Sequence, residues 1–179
     1  RPVSATEVAA WPAAFGAVEL APGDAEILAQ RAVRLLETSK VDEALALLLQ
    51  AIRLDPSNIS AETNVAVAYG AKGDWAEAIA HGKAALVLRP EHLPAELNLA
   101  VALSASGAHG EAIAHYRRVI ARQPRNRAAQ FNLAVAYAAT GQKAQAKSVL
   151  AAWVKLAPVD REAKAMLERL EKPALDAKP

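Results

Sequence analysis

Cysteine is absent from this sequence, which excludes disulfide cross-links, thiolate metal sites and cysteine nucleophiles. Aromatic residues are scarce, at 4%, too few for the aromatic-rich core of a β-sandwich. No apolar run nears the ~18 residues of a membrane-spanning helix. The longest purely aliphatic stretch is Ala44–Leu49. A dominant charge is missing as well. The net charge of +2 over 179 residues gives no general case for nucleic-acid binding, although the pI is about 9.0. No signal-peptide pattern is visible, and the chain opens on Arg1 rather than methionine, which points to processing or truncation.

What the sequence does contain is alanine, within a hydrophobic content of 53%, and that content supports a folded core of closely packed helices. It also contains a period. "NVAVAY" at 64–69, "NLAVAL" at 98–103 and "NLAVAY" at 132–137 are spaced 34 residues apart. Pro22, Pro56, Pro90, Pro124 and Pro158 keep the same spacing. Proline lacks an N–H and disfavours helix in the residue before it, so each marks a helix boundary. With each proline set at position 32, full units begin at Ala25, Ile59, Leu93 and Arg127. Position 8 is then Ala32, Ala66, Ala100 and Ala134, and position 20 is Ala44, Ala78, Ala112 and Ala146, small residues that let two helices approach closely. Position 11 is Leu35, Tyr69, Leu103 and Tyr137, and position 15 is Ser39, Gly73, Gly107 and Gly141. Glycine just past a helix supplies a left-handed cap. Asn58, His92, Asn126 and Asp160, with Asp24 in the same phase, precede the next helices, and Asn and Asp are strong N-caps. Glu62, Glu96 and Glu162 fall in first turns, where a carboxylate complements the helix dipole.

Each unit therefore reads as helix, glycine turn, helix, proline turn. First helices are expected near 25–38, 59–72, 93–106 and 127–140, and second helices near 41–54, 75–88, 109–122 and 143–156. The pattern resembles the tetratricopeptide repeat (TPR) family, which has small residues at 8 and 20, Tyr or Leu at 11 and Pro at 32. The resemblance covers 25–158 in four tandem copies and implies an all-α, right-handed α-solenoid. It departs from the family at position 4, usually Trp, where Leu28, Glu62, Glu96 and Gln130 stand. It departs again at Arg31 in position 7 and Gly82 in position 24, where apolar residues are usual.

The expected organisation is a partial N-terminal unit over 1–24, repeats over 25–58, 59–92, 93–126 and 127–160, a capping helix over 161–172 and a flexible tail over 173–179. "SATE" at Ser4–Glu7 has capping-box spacing, so 4–20 reads as a helix, with Pro12 inside it as a kink. "REAKAMLERLEK" carries Ala165, Met166 and Leu170 on one face and charges on the other, as a terminal cap requires. Counting the 4–20 segment, about ten helices are expected.

In the family, positions 2, 5, 6, 9, 12 and 13 line a concave groove. Asn64, Asn98 and Asn132 stand at position 6, Val67, Val101 and Val135 at position 9, and Leu97 and Phe131 at position 5. The resemblance implies an asparagine ladder that hydrogen-bonds a peptide backbone, with apolar contacts beside it. The competing reading is that asparagine merely recurs here as a family habit. No Lys or Arg occupies the groove positions of the three asparagine-bearing repeats, so a clamp for a peptide carboxylate is not expected.

Arg117, Arg118, Arg122, Arg125 and Arg127 form a candidate surface for an acidic partner or, alternatively, a solvated helix face and turn. RNA recognition by helical repeats needs paired specificity residues in every repeat, and none recurs. His81 and His115 share position 23 with no carboxylate or cysteine evident in phase, so they read as surface histidines rather than metal ligands. Catalytic sets, phosphate loops and cofactor motifs are absent, and no enzyme is expected. Two functions remain: a protein-interaction module that binds a peptide or protein segment in its groove, and a scaffold that self-associates by head-to-tail stacking. The charge asymmetry, net −4 over 1–62 and +6 over 63–179, suits the scaffold. The alanine- and arginine-rich composition points to a bacterial protein of the cytoplasm or periplasm.

Overall fold

The computed structural model describes residues 23–172, and among these it contains nine α-helices and no strand. They are α1 (Asp24–Glu37), α2 (Val41–Leu54), α3 (Ile59–Lys72), α4 (Trp75–Leu88), α5 (Leu93–Ala105), α6 (His109–Arg122), α7 (Arg127–Ala139), α8 (Lys143–Leu156) and α9 (Arg161–Glu171). Each begins and ends within two residues of the span read from the 34-residue period. The helix expected over 4–20 and the tail over 173–179 lie outside the described residues.

Local chemistry explains the boundaries. Asn58, Asn126 and Asp160 each accept a hydrogen bond from a backbone N–H three residues on, at 2.8, 3.0 and 3.1 Å, and so start α3, α7 and α9. Two expected caps differ. His92 precedes α5 without a side-chain cap bond, and Asp24 lies inside α1, whose N-cap is Gly23. Gly73, Gly107 and Gly141 take φ of 81°, 88° and 76°, and the next N–H reaches back five residues, as from Asp74 to the Tyr69 carbonyl at 3.0 Å. Ser39 makes the same bend at φ 60° without glycine's freedom. At the far ends, Asp55, Arg89, Gln123 and Ala157 leave the helical region just ahead of the phased prolines.

Contacts divide the chain after Arg89 into two compact units. In the first, α1 packs on α2 and α3 on α4, while α3 also rests against both α1 and α2. Its core gathers Ala25, Ala29, Ala32, Ala44, Leu48, Ala51, Ala61, Val65 and Ala68. In the second, the pairs α5–α6 and α7–α8 are joined through α6–α7, and α9 closes on α8. Ala134, Ala146, Leu150, Trp153, Ala163 and Met166 form a core there.

All the alanines at positions 8 and 20 are buried. A side chain larger than methyl at these points must push helices apart. Ala100→Leu or Ala112→Leu is expected to destabilise the fold by ~1–3 kcal/mol, read as a lower urea midpoint at unchanged slope. Position 24 is filled by Leu48, Tyr116 and Leu150, all fully buried, and by a buried Gly82 in the second repeat.

One sequence reading needs correction here. The inner face of α9 is Ala163, Met166, Leu167 and Leu170, while Ala165 is exposed. Burial on α9 follows Ala163 and its i+3, i+4 and i+7 neighbours, and Ala165 lies off that stripe. Arg31 is exposed where Val65, Leu99 and Leu133 are buried, so its charge remains at the surface.

Candidate functional site

Asparagine and valine three residues apart lie on one face of a helix. In α3, α5 and α7 that face is open. Val67, Val101 and Val135 are 37%, 38% and 36% exposed, while the alanines on either side of each are buried. The near-identity of the three values shows that one register repeats in all three helices. Asn64, Asn98 and Asn132 are half-buried on the same faces. The Asn64 Nδ2 donates to the Ser60 carbonyl one turn back at 2.8 Å. No hydrogen bond among the described residues engages the amides of Asn98 and Asn132. Leu97 and Phe131 are half-buried, and the Arg127 guanidinium lies over the Phe131 ring at 5.7 Å from its centre. Unit one thus carries Asn64 and Val67, and unit two carries Asn98, Val101, Asn132 and Val135 with Leu97 and Phe131.

The arginines of the basic stretch have separate fates. Arg118 reaches Glu96 at 3.2 Å, Arg122 reaches Glu91 at 3.2 Å, and Arg127 is held by Asp160 at 2.8 Å and Glu162 at 2.7 Å. Arg117 and Arg125 are exposed, with no ion pair among the described residues. Three of the five are therefore partly neutralised in place.

Asp160 is the centre of the densest polar node. Its side chain is only 6% exposed, yet it caps α9, binds Arg127 and accepts a hydrogen bond from the Trp153 indole N–H at 2.9 Å. The Arg127 and Trp153 hydrogen bonds hold its carboxyl down at about 2, against an ordinary 3.8. A folded-state value below the unfolded one stabilises the protein above the ordinary range, and that contribution is lost as pH falls through about 2. Asp160→Asn keeps a cap and removes the charge. The variant is expected to show a shallower fall in urea midpoint than the wild type between about pH 4 and about pH 2. The node borders an open cleft of about 480 Å³ lined by Arg127, Trp153, Ala157, Val159, Arg161 and Glu162. Tyr116, at position 24, is pushed up to about 12 by burial, against the opposing effect of its hydrogen bond with Ser104.

The histidines overturn an expectation. His81 Nδ1 lies 2.7 Å from Glu62 Oε2, and His115 Nδ1 lies 2.9 Å from Glu96 Oε1. They are partly buried and do have carboxylates in phase, 19 residues earlier on the first helix of the same repeat. Glu62 and Glu96 are themselves buried rather than solvated in their first turns. His81 also stacks on Tyr69, with ring centres 5.6 Å apart. The available signal was Glu at position 4 in the two repeats that have His at position 23. No group of three or more metal-binding side chains occurs among the described residues, and no described helix is long and apolar enough to cross a membrane.

Comparison with known proteins fits this architecture. Two tetratricopeptide repeat family models match, over residues 29–92 and 103–170. No curated protein sequence matches the chain. Among solved structures, MamA (residues 41 to the end) from Desulfovibrio magneticus RS-1 is similar at TM-score 0.76 and 22% identity, over 82% of this chain and 83% of that one. YrrB, described as a TPR protein with an unusual peptide-binding site, is similar at TM-score 0.71 and 22% identity, over 80% and 74%. The first TPR of Spaghetti (RPAP3), bound to the HSP90 peptide SRMEEVD, is similar at TM-score 0.65 and 25% identity, over 69% and 98%. With the repeat register, the helix pairing and both family matches in agreement, the chain belongs to the tetratricopeptide repeat family.

Proposed function

We propose that this chain, as a non-enzymatic adaptor, binds extended partner segments on the first-helix faces that carry Asn64 in the first unit and Asn98 and Asn132 in the second. Membership of the family makes it a protein-interaction module in the general sense. The observation that carries the specific reading is the recurrence of a half-buried asparagine beside a valine of nearly constant exposure. A carboxamide can donate to a peptide carbonyl and accept from a peptide N–H, so it reads backbone rather than side-chain sequence. The valines, with Leu97 and Phe131, offer shallow apolar contacts for alternate side chains. No Lys or Arg stands at the groove positions of these repeats, so a partner with an uncharged, apolar-anchored segment fits better than an acidic peptide such as SRMEEVD, to which the first TPR of RPAP3 is bound.

A display library of random twelve-residue peptides tests this reading. Selection on the full chain is expected to enrich apolar anchors spaced by two in otherwise varied sequences. Enriched peptides should lose affinity for Leu97→Ala and Phe131→Ala according to their anchor size. Enrichment of acidic C-termini, or of peptides indifferent to both substitutions, would contradict it.

A further inference from the structure

Glu62 and Glu96 are nearly enclosed, with side chains 10% and 5% exposed, and each faces an imidazole on the partner helix of its own repeat. Positions 4 and 23 vary together along the chain. They are Leu28 with Leu47, Glu62 with His81, Glu96 with His115, and Gln130 with Val149. Leu28 and Leu47 pack against the same apolar cluster. Gln130 turns its amide to the Pro124 carbonyl at 3.0 Å and so takes its hydrogen bond from outside the pair. Apolar meets apolar in the first repeat, acid meets histidine in the next two, and a self-satisfied amide meets valine in the last.

Nearly identical tandem units pose a folding problem, because a first helix can pair with the wrong second helix. The alanines at positions 8 and 20 are the same in all four repeats and give no discrimination. A slip by one repeat, with α3 and α2 in the intra-repeat arrangement, would set Glu62 against Leu47. The same slip would set Gln130 of α7 against His115 of α6, whereas Glu96 of α5 would again meet a histidine, His81 of α4, so the penalty falls at the two ends of the Glu–His run. An ionised carboxylate buried against an aliphatic side chain weakens such a pairing by about a hundredfold or more.

We propose that the Glu62–His81 and Glu96–His115 pairs act as register keys, specifying which helices pair when the chain folds. The proposal is independent of the peptide-binding reading. The keys are not needed for net stability, since a well-packed apolar pair at such a site is commonly as stable or more so. What they supply is a penalty on the alternatives.

The test makes the first three repeats alike at these positions with the four-site variant Glu62→Leu, His81→Leu, Glu96→Leu, His115→Leu. Its urea midpoint is expected to equal or exceed the wild type. After refolding from urea it should show an added slow phase and a second set of amide resonances, several-fold more abundant than any minor form of the wild type. Refolding in wild-type phases to a single set of resonances would overturn the proposal. So would failure of this variant to fold, because the pairs would then be structural necessities rather than keys. Independently, His81→Leu alone is expected to raise the unfolding equilibrium constant about a hundredfold by leaving Glu62 unpaired. The exchanged pair Glu62→His, His81→Glu should recover most of that loss and refold in wild-type phases. An exchanged variant as damaged as His81→Leu would show that the two side chains do not act as a unit.

Discussion

Changing Asn64, Asn98 and Asn132 together to alanine is expected to weaken binding of a selected peptide about ten- to a thousandfold, with helicity unchanged. Each carboxamide contributes ~0.5–1.5 kcal/mol net, as neutral hydrogen bonds do in exchange with water. Three such losses, at ~1.4 kcal/mol per decade, give that range. The contributions need not be equal. The Asn64 Nδ2 already donates to the Ser60 carbonyl, which orients its amide but leaves it fewer free donor positions. Asn98 and Asn132 have no such partner among the described residues and stand in the same unit. The double variant Asn98→Ala, Asn132→Ala is therefore expected to account for most of the effect. Because the amides read backbone, the loss should be similar for unrelated peptides. The competing head-to-tail scaffold predicts instead that the asparagine variant self-associates normally. In that case charge reversal of Arg117, an exposed arginine with no ion pair among the described residues, would disperse the assembly.

Tyr116→Ala is expected to be the most damaging single change to the fold, at ~3–5 kcal/mol, the range for emptying a fully buried aromatic site. The ring is 1% exposed and fills position 24, where Leu48 and Leu150 stand in other repeats. Tyr116→Phe keeps the ring and gives up only the hydroxyl, an expected ~0.5–1.5 kcal/mol. Urea unfolding of both variants separates the contributions. A loss near that of Tyr116→Phe in the alanine variant would mean that neighbouring helices collapse into the space.

The fold was legible because its signals are local and repeated. A proline every 34 residues, glycine at the turns of three repeats and alanine at two fixed positions place eight helices without reference to anything distant. The face that bears the asparagines was legible for the same reason, since i and i+3 on one helix need no tertiary knowledge. The polar pairs were not. Glu62 and His81 are 19 residues apart on different helices, and comparing histidine with histidine across repeats concealed the carboxylate within each repeat. The partners of the basic stretch were hidden in the same way. Five arginines look like a patch in sequence, but the carboxylates that meet three of them lie 22 to 35 residues away. At Asp24 a local rule yielded to its surroundings, and the helix began one residue early from Gly23.

Amide chemical-shift mapping of the full chain, titrated with a peptide enriched from the random library, reads directly whether the asparagine-bearing faces bind. The largest shifts are expected at Asn64, Val67, Asn98, Val101, Asn132 and Val135, with side-chain amide signals of the three asparagines moving in step with the backbone. Shifts confined to the second helices α2, α4, α6 and α8, or to the Arg117–Arg127 stretch, with the asparagine amides unmoved, would contradict binding at these faces.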